Sequence, residues 1–107
     1  ENIYPAEIEN ALMKHPGIAD VAVIGVPSDK WGETVKAVIT RSDPDLGEAD
    51  VIAFARENLA AYKCPTSVDW IDALPRNPSG KIQRFPLRER AQAEATAEQL
   101  TTDVKDA

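Results

Sequence analysis

Apolar residues in the first part of the chain follow a helical spacing and then a strand-like one. After Pro5 they recur every three or four residues as far as His15, which predicts an amphipathic helix of about ten residues that stops at Pro16 and Gly17. Val21–Val26 is an almost continuous apolar run, which is typical of a strand buried on both faces.

The pattern then alternates before it becomes helical again. Thr34–Arg41 alternates apolar and polar residues, which predicts a second strand with one more polar face. Helical spacing over Glu48–Ala61 predicts a second helix. The residues that we expect to face the core from this segment are Val51, Ile52, Ala55, Leu59 and Tyr62.

The last third of the chain predicts one more strand and one more helix. The strand is expected at Ser67–Ile71, and Pro86 is expected to open the helix. The predicted order is α-β-β-α-β-α, an α+β domain over residues 1–95 with a small mixed or antiparallel sheet and flanking helices. Residues 96–107 are polar, and we expect a disordered tail there.

Composition and charge exclude several functions. A chain of 107 residues favours one domain with a modest core. Its 43 % apolar and 28 % charged residues are typical of a globular protein and wrong for disorder. The net charge of −6 argues against nucleic acid or an anionic membrane as partner, and no apolar run approaches the roughly 20 residues that span a bilayer.

Few side chains suggest metal binding or nucleophilic catalysis. Cys64 is the single cysteine, so no internal disulfide is possible and a reducing cytoplasm is expected. Together with the single histidine, His15, it makes no usual metal-ligand set. Glu7 and Glu9 lie two apart on a helix, and we expect a solvated face there. The chain begins at Glu1 without methionine, so we expect it to be a piece of a longer protein.

One turn near the C-terminal third carries the main candidate residue. Pro75 and Pro78 fix φ and Gly80 permits positive φ, so Pro-Ser-Gly-Lys, including Ser79, predicts a defined turn with Lys81 at its tip. A lysine held there can present a point charge to a phosphate or a carboxylate. The alternative is a solvated lysine in a surface loop. A Walker phosphate loop is excluded, because it needs a glycine at position 75 and a serine or threonine after the lysine.

Six segments in sequence order resemble a known family. They are Glu1–Glu9, His15–Ile18, Val21–Pro27, Trp31–Glu33, Tyr62–Pro65 and Leu74–Ile82. Together they closely resemble the C-terminal lid domain of the adenylate-forming enzymes, which include acyl-CoA synthetases, firefly luciferase and the adenylation domains of peptide synthetases. The resemblance covers the chain as far as Arg90 and supports the predicted α+β fold.

This resemblance implies a two-step reaction in a larger enzyme. A carboxylic acid attacks the α-phosphorus of ATP, with Mg²⁺ assisting, and gives an acyl-adenylate and pyrophosphate. In the acyl-CoA synthetases the lid then rotates, and the thiol of CoA displaces AMP. Lys81 matches the adenylation lysine of the family. ATP, Mg²⁺ and CoA would be held with the N-terminal domain of the same enzyme, and none stably by this domain alone.

The resemblance also implies contacts for the second step. Trp31 would lie against the pantetheine of CoA, or would only cover the edge of the sheet. Tyr62 and Lys63 would lie against the adenine and phosphates of CoA. Glu1 and Asn2 would approach the acyl group and the pantetheine tunnel. Some relatives have Arg or Lys where this chain has Cys64 and Thr66, which leaves the lysine at position 63 as the local cation.

The resulting hypothesis is the lid of an AMP-forming acyl-CoA ligase for a fatty or other hydrophobic acid. One alternative is an adenylation domain that loads a carrier protein, and another is a non-catalytic interaction module of the same fold. Lys81 also resembles the lysines of such ligases that an acetyltransferase and a deacetylase switch off and on. Acetylation would remove the positive charge that the reaction needs.

Overall fold

The computed structural model describes residues 5–28 and 32–94 of the chain. This part forms an α+β domain, and the predicted order α-β-β-α-β-α is confirmed. Its elements are helices α1 (Pro5–Leu12), α2 (Glu48–Asn58) and α3 (residues 84–94), strands β1 (Ile18–Ser28), β2 (Gly32–Arg41) and β3 (Ser67–Trp70), and a 3₁₀ turn (Ala61–Lys63). The tail predicted at residues 96–107 lies outside the described residues.

The sheet is mixed and has the strand order β1-β2-β3. Strands β1 and β2 pair antiparallel, with Val23 opposite Ala37. Strand β3 pairs parallel with β2 and places Val68 beside the same alanine. Helix α2 connects these two parallel strands, as a parallel pair requires a crossover connection.

Two apolar layers enclose strand β1, so the prediction of a strand buried on both faces is confirmed. Val21 and Val23 belong to the larger cluster, which contains the buried residues of α1 and α2. Ala22 and Ile24 belong to the smaller one, which contains Leu87 of α3. The sheet therefore has α1 and α2 on one face and α3 on the other.

Helices α1 and α2 end earlier than the spacing predicted. Helix α1 stops at Leu12, and His15 lies in the following turn, where its Nδ1 accepts a hydrogen bond from the Gly17 N–H at 2.9 Å. Helix α2 stops at Asn58, because Leu59 has an extended backbone with φ −137° and ψ 154°. The spacing of apolar residues predicted a longer α2 because the residues of the 3₁₀ turn that follows recur with a period close to that of an α-helix.

Two further details differ from the predictions. The helical spacing predicts that Tyr62 faces the core, but Tyr62 is 55 % exposed and lies in the 3₁₀ turn, beyond the end of α2. Phe54 of α2 packs against the core instead, with its ring edge-on to His15 at 4.9 Å between centroids. Helix α3 begins at residue 84, so Pro86 lies within its first turn, where a missing N–H costs no helical hydrogen bond.

Candidate functional site

The loop that carries Lys81 is a narrow turn closed by backbone hydrogen bonds. Arg76 and Ile82 form an isolated antiparallel bridge across its base. The Gln83 N–H donates to the Pro75 carbonyl at 2.9 Å, and the Asn77 N–H donates to the Lys81 carbonyl at 2.9 Å. The two arms of the loop are therefore held together as far as Asn77 and Lys81. The lysine flanks the tip of the turn, whereas the sequence predicted it at the tip.

Asn77 organises the tip of the loop. Its Oδ1 accepts hydrogen bonds from the Ser79 N–H at 3.1 Å, the Ser79 hydroxyl at 2.8 Å and the Lys81 N–H at 2.9 Å. Its carbonyl accepts from the Gly80 N–H at 2.9 Å. Such local side-chain bonds are the reason asparagine favours turns. Gly80 has φ +89°, a conformation that glycine adopts at little cost.

The side chain of Lys81 projects from this ordered turn into solvent. The residue is exposed, and within residues 5–28 and 32–94 no carboxylate pairs with its ammonium. The backbone is thus fixed while the charge stays available to an external anion. An ammonium that is available in this way can stabilise a developing negative charge in a site from which water is excluded.

The other predicted cation, Lys63, is already neutralised within the domain. Its Nζ donates to both carboxylate oxygens of Glu7 in α1, at 2.8 and 2.9 Å. The ammonium also lies 5.6 Å from the centre of the exposed Tyr62 ring. The hydrogen bond to Glu7 raises the pKa of Lys63 above its ordinary value. A ligand phosphate that binds this lysine must therefore replace or share the carboxylate.

The prediction of a solvated face at Glu7 and Glu9 holds for the exposed Glu7 and is wrong for Glu9, and both carboxylates are paired with cations. Glu7 holds Lys63, and Glu9 accepts from Arg84 of α3 at 2.7 and 2.6 Å. The Glu9 side chain is only 13 % exposed, and it also accepts from the Val23 N–H at 2.7 Å. Sequence spacing within α1 could not show these pairs, since each partner lies more than fifty residues away.

Cys64 is buried beside an open groove of about 530 Å³ lined by Ile52, Arg56, Pro65 and Thr66, among others. Its Sγ donates to the Ala60 carbonyl at 3.5 Å. Burial raises the pKa of the Cys64 thiol, so the thiolate form is disfavoured.

Three predicted contact residues, Glu1, Asn2 and Trp31, lie outside the described residues. Within the described ranges no group of three His, Cys, Asp or Glu side chains could hold a metal ion. No helix there is long and apolar enough to cross a membrane.

The fold and the lysine loop define the class of C-terminal domains found in adenylate-forming enzymes. The model of the AMP-binding enzyme C-terminal domain matches residues 7–81, and the chain belongs to this family.

Relatives that match this domain are named for different substrates. A dioxo-octahydroindenyl-propanoyl:CoA ligase from Rhodococcus jostii is 52 % identical over 89 residues, covering 82 % of this chain and 17 % of the relative. A fatty acid–acyl-carrier-protein ligase from Streptomyces coeruleorubidus is 47 % identical over 91 residues, covering 84 % and 18 %.

Solved structures of the same class superpose well on the domain. A fatty acyl CoA synthetase from Mycobacterium tuberculosis matches with a TM-score of 0.82 and 42 % identity, over 88 % of this chain and 19 % of that one. The chain therefore spans less than a fifth of the length of the relatives it matches.

Proposed function

We propose that this chain is the C-terminal lid of an ATP-dependent, AMP-forming acyl-CoA ligase that acts on a fatty or other hydrophobic acid. The observation that carries the proposal is the exposed ammonium of Lys81 on a loop held by Asn77 and Gly80. Family membership and the CoA-ligase names of the Rhodococcus and Mycobacterium relatives support it. The rest of the site, including the ATP pocket, would belong to an N-terminal domain of the same protein.

In the first step, a carboxylate oxygen of the acid attacks the α-phosphorus of ATP and pyrophosphate leaves. The two anions repel each other as they approach. Lys81 would lie between them and offset this repulsion in the transition state. Arginine would replace it poorly, because a planar guanidinium cannot act as a compact point charge between two oxyanions. The Mg²⁺ expected with ATP is not assigned to residues of this domain.

In the second step, the lid would rotate and the thiol of CoA would attack the acyl carbonyl, with AMP as the leaving group. Tyr62 is exposed and available for stacking against the adenine. Lys63 would meet a CoA phosphate by exchanging its pair with Glu7 or by sharing its ammonium with both anions. Trp31 would contact the pantetheine, and Asn2, with the preceding glutamate, would lie near the acyl group.

The test is a comparison of half-reactions in the full-length enzyme. Lys81→Ala should lower acid-dependent exchange of pyrophosphate into ATP by about 100-fold or more, since removal of one preorganised donor costs about 3 kcal/mol. Lys81→Arg should recover little, and the exposed Lys14→Ala should match the wild type. Undiminished exchange in Lys81→Ala would instead indicate the non-catalytic module. The isolated chain should make no acyl-adenylate, because Lys81 alone has no ATP pocket.

A carrier protein is the second candidate acceptor, because the Streptomyces relative is named a fatty acid–acyl-carrier-protein ligase. The two acceptors are separated by the product of the full-length enzyme with ATP and acid. Release of free acyl-CoA on addition of CoA supports the main proposal. Acylation of a carrier protein, with no free acyl-CoA, supports the second.

We further propose that reversible acetylation of Lys81 regulates the enzyme. We place the enzyme in the cytoplasm, where its single cysteine would stay reduced. The exposed position of the lysine gives an acetyltransferase access, and acetylation would remove the charge. Mass spectrometry of the enzyme treated with an acetyltransferase, followed by the exchange assay, tests this. Acetylated enzyme should lose exchange and regain it after deacetylase treatment.

A further inference from the structure

The guanidinium of Arg76 joins the lysine loop to the first strand of the sheet. Its Nη1 donates to the carbonyl of Gly80 at 2.7 Å, and its Nη2 donates to the Asp20 carboxylate at 2.6 Å. Asp20 is itself fixed, because its other oxygen accepts from the N–H of Val21 at 3.0 Å. One arginine therefore connects the residue before the lysine to a rigid strand.

A bulge in β1 places this carboxylate. Ile18 pairs with Arg41 and Asp20 pairs with Thr40, so one extra residue, Ala19, is inserted in β1. Bulges of this kind redirect side chains and are frequent beside functional sites. The backbone of Asp20 is thus placed by the sheet and not by the loop that its side chain restrains.

The peptide group between Gly80 and Lys81 is held at both ends. Its carbonyl accepts from Arg76, and its N–H donates to the Oδ1 of Asn77 at 2.9 Å. Because a peptide unit is planar, two hydrogen bonds on opposite sides fix its orientation. The Asn77 N–H also donates to the carbonyl of Lys81 at 2.9 Å and so holds the next peptide group. The two held peptide groups together set the direction in which the Cα–Cβ bond of Lys81 leaves the backbone.

We infer that Arg76 and Asp20 are positioning residues that set the direction of the Lys81 side chain for adenylation. The inference rests on the proposed function. The Arg76–Asp20 pair is partly exposed, with 42 % and 30 % of the two side chains accessible, so it contributes little to the stability of the domain. Loss of the Arg76–Asp20 pair should therefore lower the rate of the first half-reaction and leave folding intact.

The experiment measures both half-reactions in the full-length enzyme. Arg76→Ala should lower kcat of pyrophosphate exchange by about 10- to 100-fold, as expected for a small misplacement of a catalytic group, with KM for ATP little changed. Conversion of supplied acyl-adenylate and CoA to acyl-CoA should stay at the wild-type rate. Arg76→Lys should restore part of the exchange, since lysine keeps the positive charge but lacks the planar guanidinium that binds two acceptors at once.

Two further variants make the test specific. Asp20→Ala should slow exchange less than Arg76→Ala, and the double variant should be no slower than Arg76→Ala alone, because both act through one link. The matched control is Arg88→Ala, an exposed arginine of α3 outside the loop, which should match the wild type in both half-reactions.

The outcomes separate this inference from the proposed function. Wild-type exchange in Arg76→Ala, together with a loss in Lys81→Ala, would overturn the inference alone. An equal loss in both half-reactions with a lower Tm would assign Arg76 a structural role and also overturn it. Undiminished exchange in Lys81→Ala would overturn the proposed function itself.

Discussion

The side-chain oxygen of Asn77 accepts a hydrogen bond from the backbone N–H of Lys81 at 2.9 Å. The same oxygen binds the N–H and hydroxyl of Ser79, so one amide side chain organises the whole tip of the loop. The backbone of the candidate catalytic lysine is therefore fixed by a neighbour four residues away, without any contact between that neighbour and the ammonium.

Removal of this acceptor should impair adenylation. Asn77→Ala leaves two backbone N–H groups and a hydroxyl without their partner, and each such hydrogen bond is worth about 1 kcal/mol. We expect the rate of pyrophosphate exchange in the full-length enzyme to fall about tenfold. Asn77→Asp keeps an acceptor oxygen and should retain more of the rate. Asn58→Ala, which removes an exposed asparagine from α2, is the matched control and should have no effect on exchange.

The Glu9–Arg84 pair should be the ion pair on which stability depends most. It joins α1, β1 and α3, since Arg84 Nε also donates to the Val23 carbonyl at 3.2 Å. Glu9→Ala removes the acceptor of Arg84 Nη2, which belongs to a partly buried guanidinium, and the acceptor of the Val23 N–H. We expect urea unfolding of the chain to show a loss of about 2–4 kcal/mol.

The solvent-exposed pair Arg90–Glu94 in α3 provides the control. Glu94→Ala should change the free energy of unfolding by about 0.5 kcal/mol or less, because exposed i,i+4 pairs contribute little. Equal losses for the two glutamate variants would show that the pair at Glu9 has no special role.

The pair between Glu7 and Lys63 should oppose the binding of CoA in the proposed ligase, because the carboxylate competes for the ammonium. Glu7→Gln removes the competing charge, and we expect it to lower KM for CoA by up to about fivefold, the range of an exposed ion pair. Lys63→Ala should raise the KM for CoA and change that for dephospho-CoA less if its ammonium meets the 3′-phosphate. Glu57→Gln, an exposed acid of α2, is the control. An unchanged KM in both test variants would remove this lysine from the CoA site.

The Cys64 thiol should be unreactive in the folded domain. Burial raises its pKa, so little thiolate exists at pH 7 to 8, and reaction with a thiol reagent should be slow until urea unfolds the chain. Because the pKa of the thiol is higher in the folded state than in the unfolded one, the thiol makes the free energy of unfolding depend on pH. Its contribution to that free energy is complete below the ordinary thiol pKa of about 8.5 and is lost as the pH rises through the higher pKa of the folded state.

Cys64→Ala tests this linkage, because it lacks the titrating group. Its stability should decline less steeply at alkaline pH than that of the wild type, as measured by urea unfolding across pH 7 to 10. Fast labelling of the folded wild type at pH 7.5 would contradict the predicted burial effect.

Patterns of residues close together in the sequence were sufficient to predict the helices, the strands and the turn that carries Lys81. The run Val21–Val26 and the alternation over Thr34–Arg41 predicted two strands that the structure contains. Proline and glycine in the Lys81 loop predicted a turn because their backbone preferences are intrinsic to those residues. Helix ends were predicted less well, since the 3₁₀ turn before Cys64 has nearly the period of the helix it follows.

The sequence by itself determined the strand and helix order, the turn that carries Lys81 and the family, because these depend on residues close together in the chain or on motifs in fixed order. Only the tertiary structure decided which charges are neutralised and which remain available. Glu7 meets Lys63, and Asp20 meets Arg76, each across 56 positions of the chain. Spacing carries no information about such pairs, because the packing of helices and sheet brings their partners together.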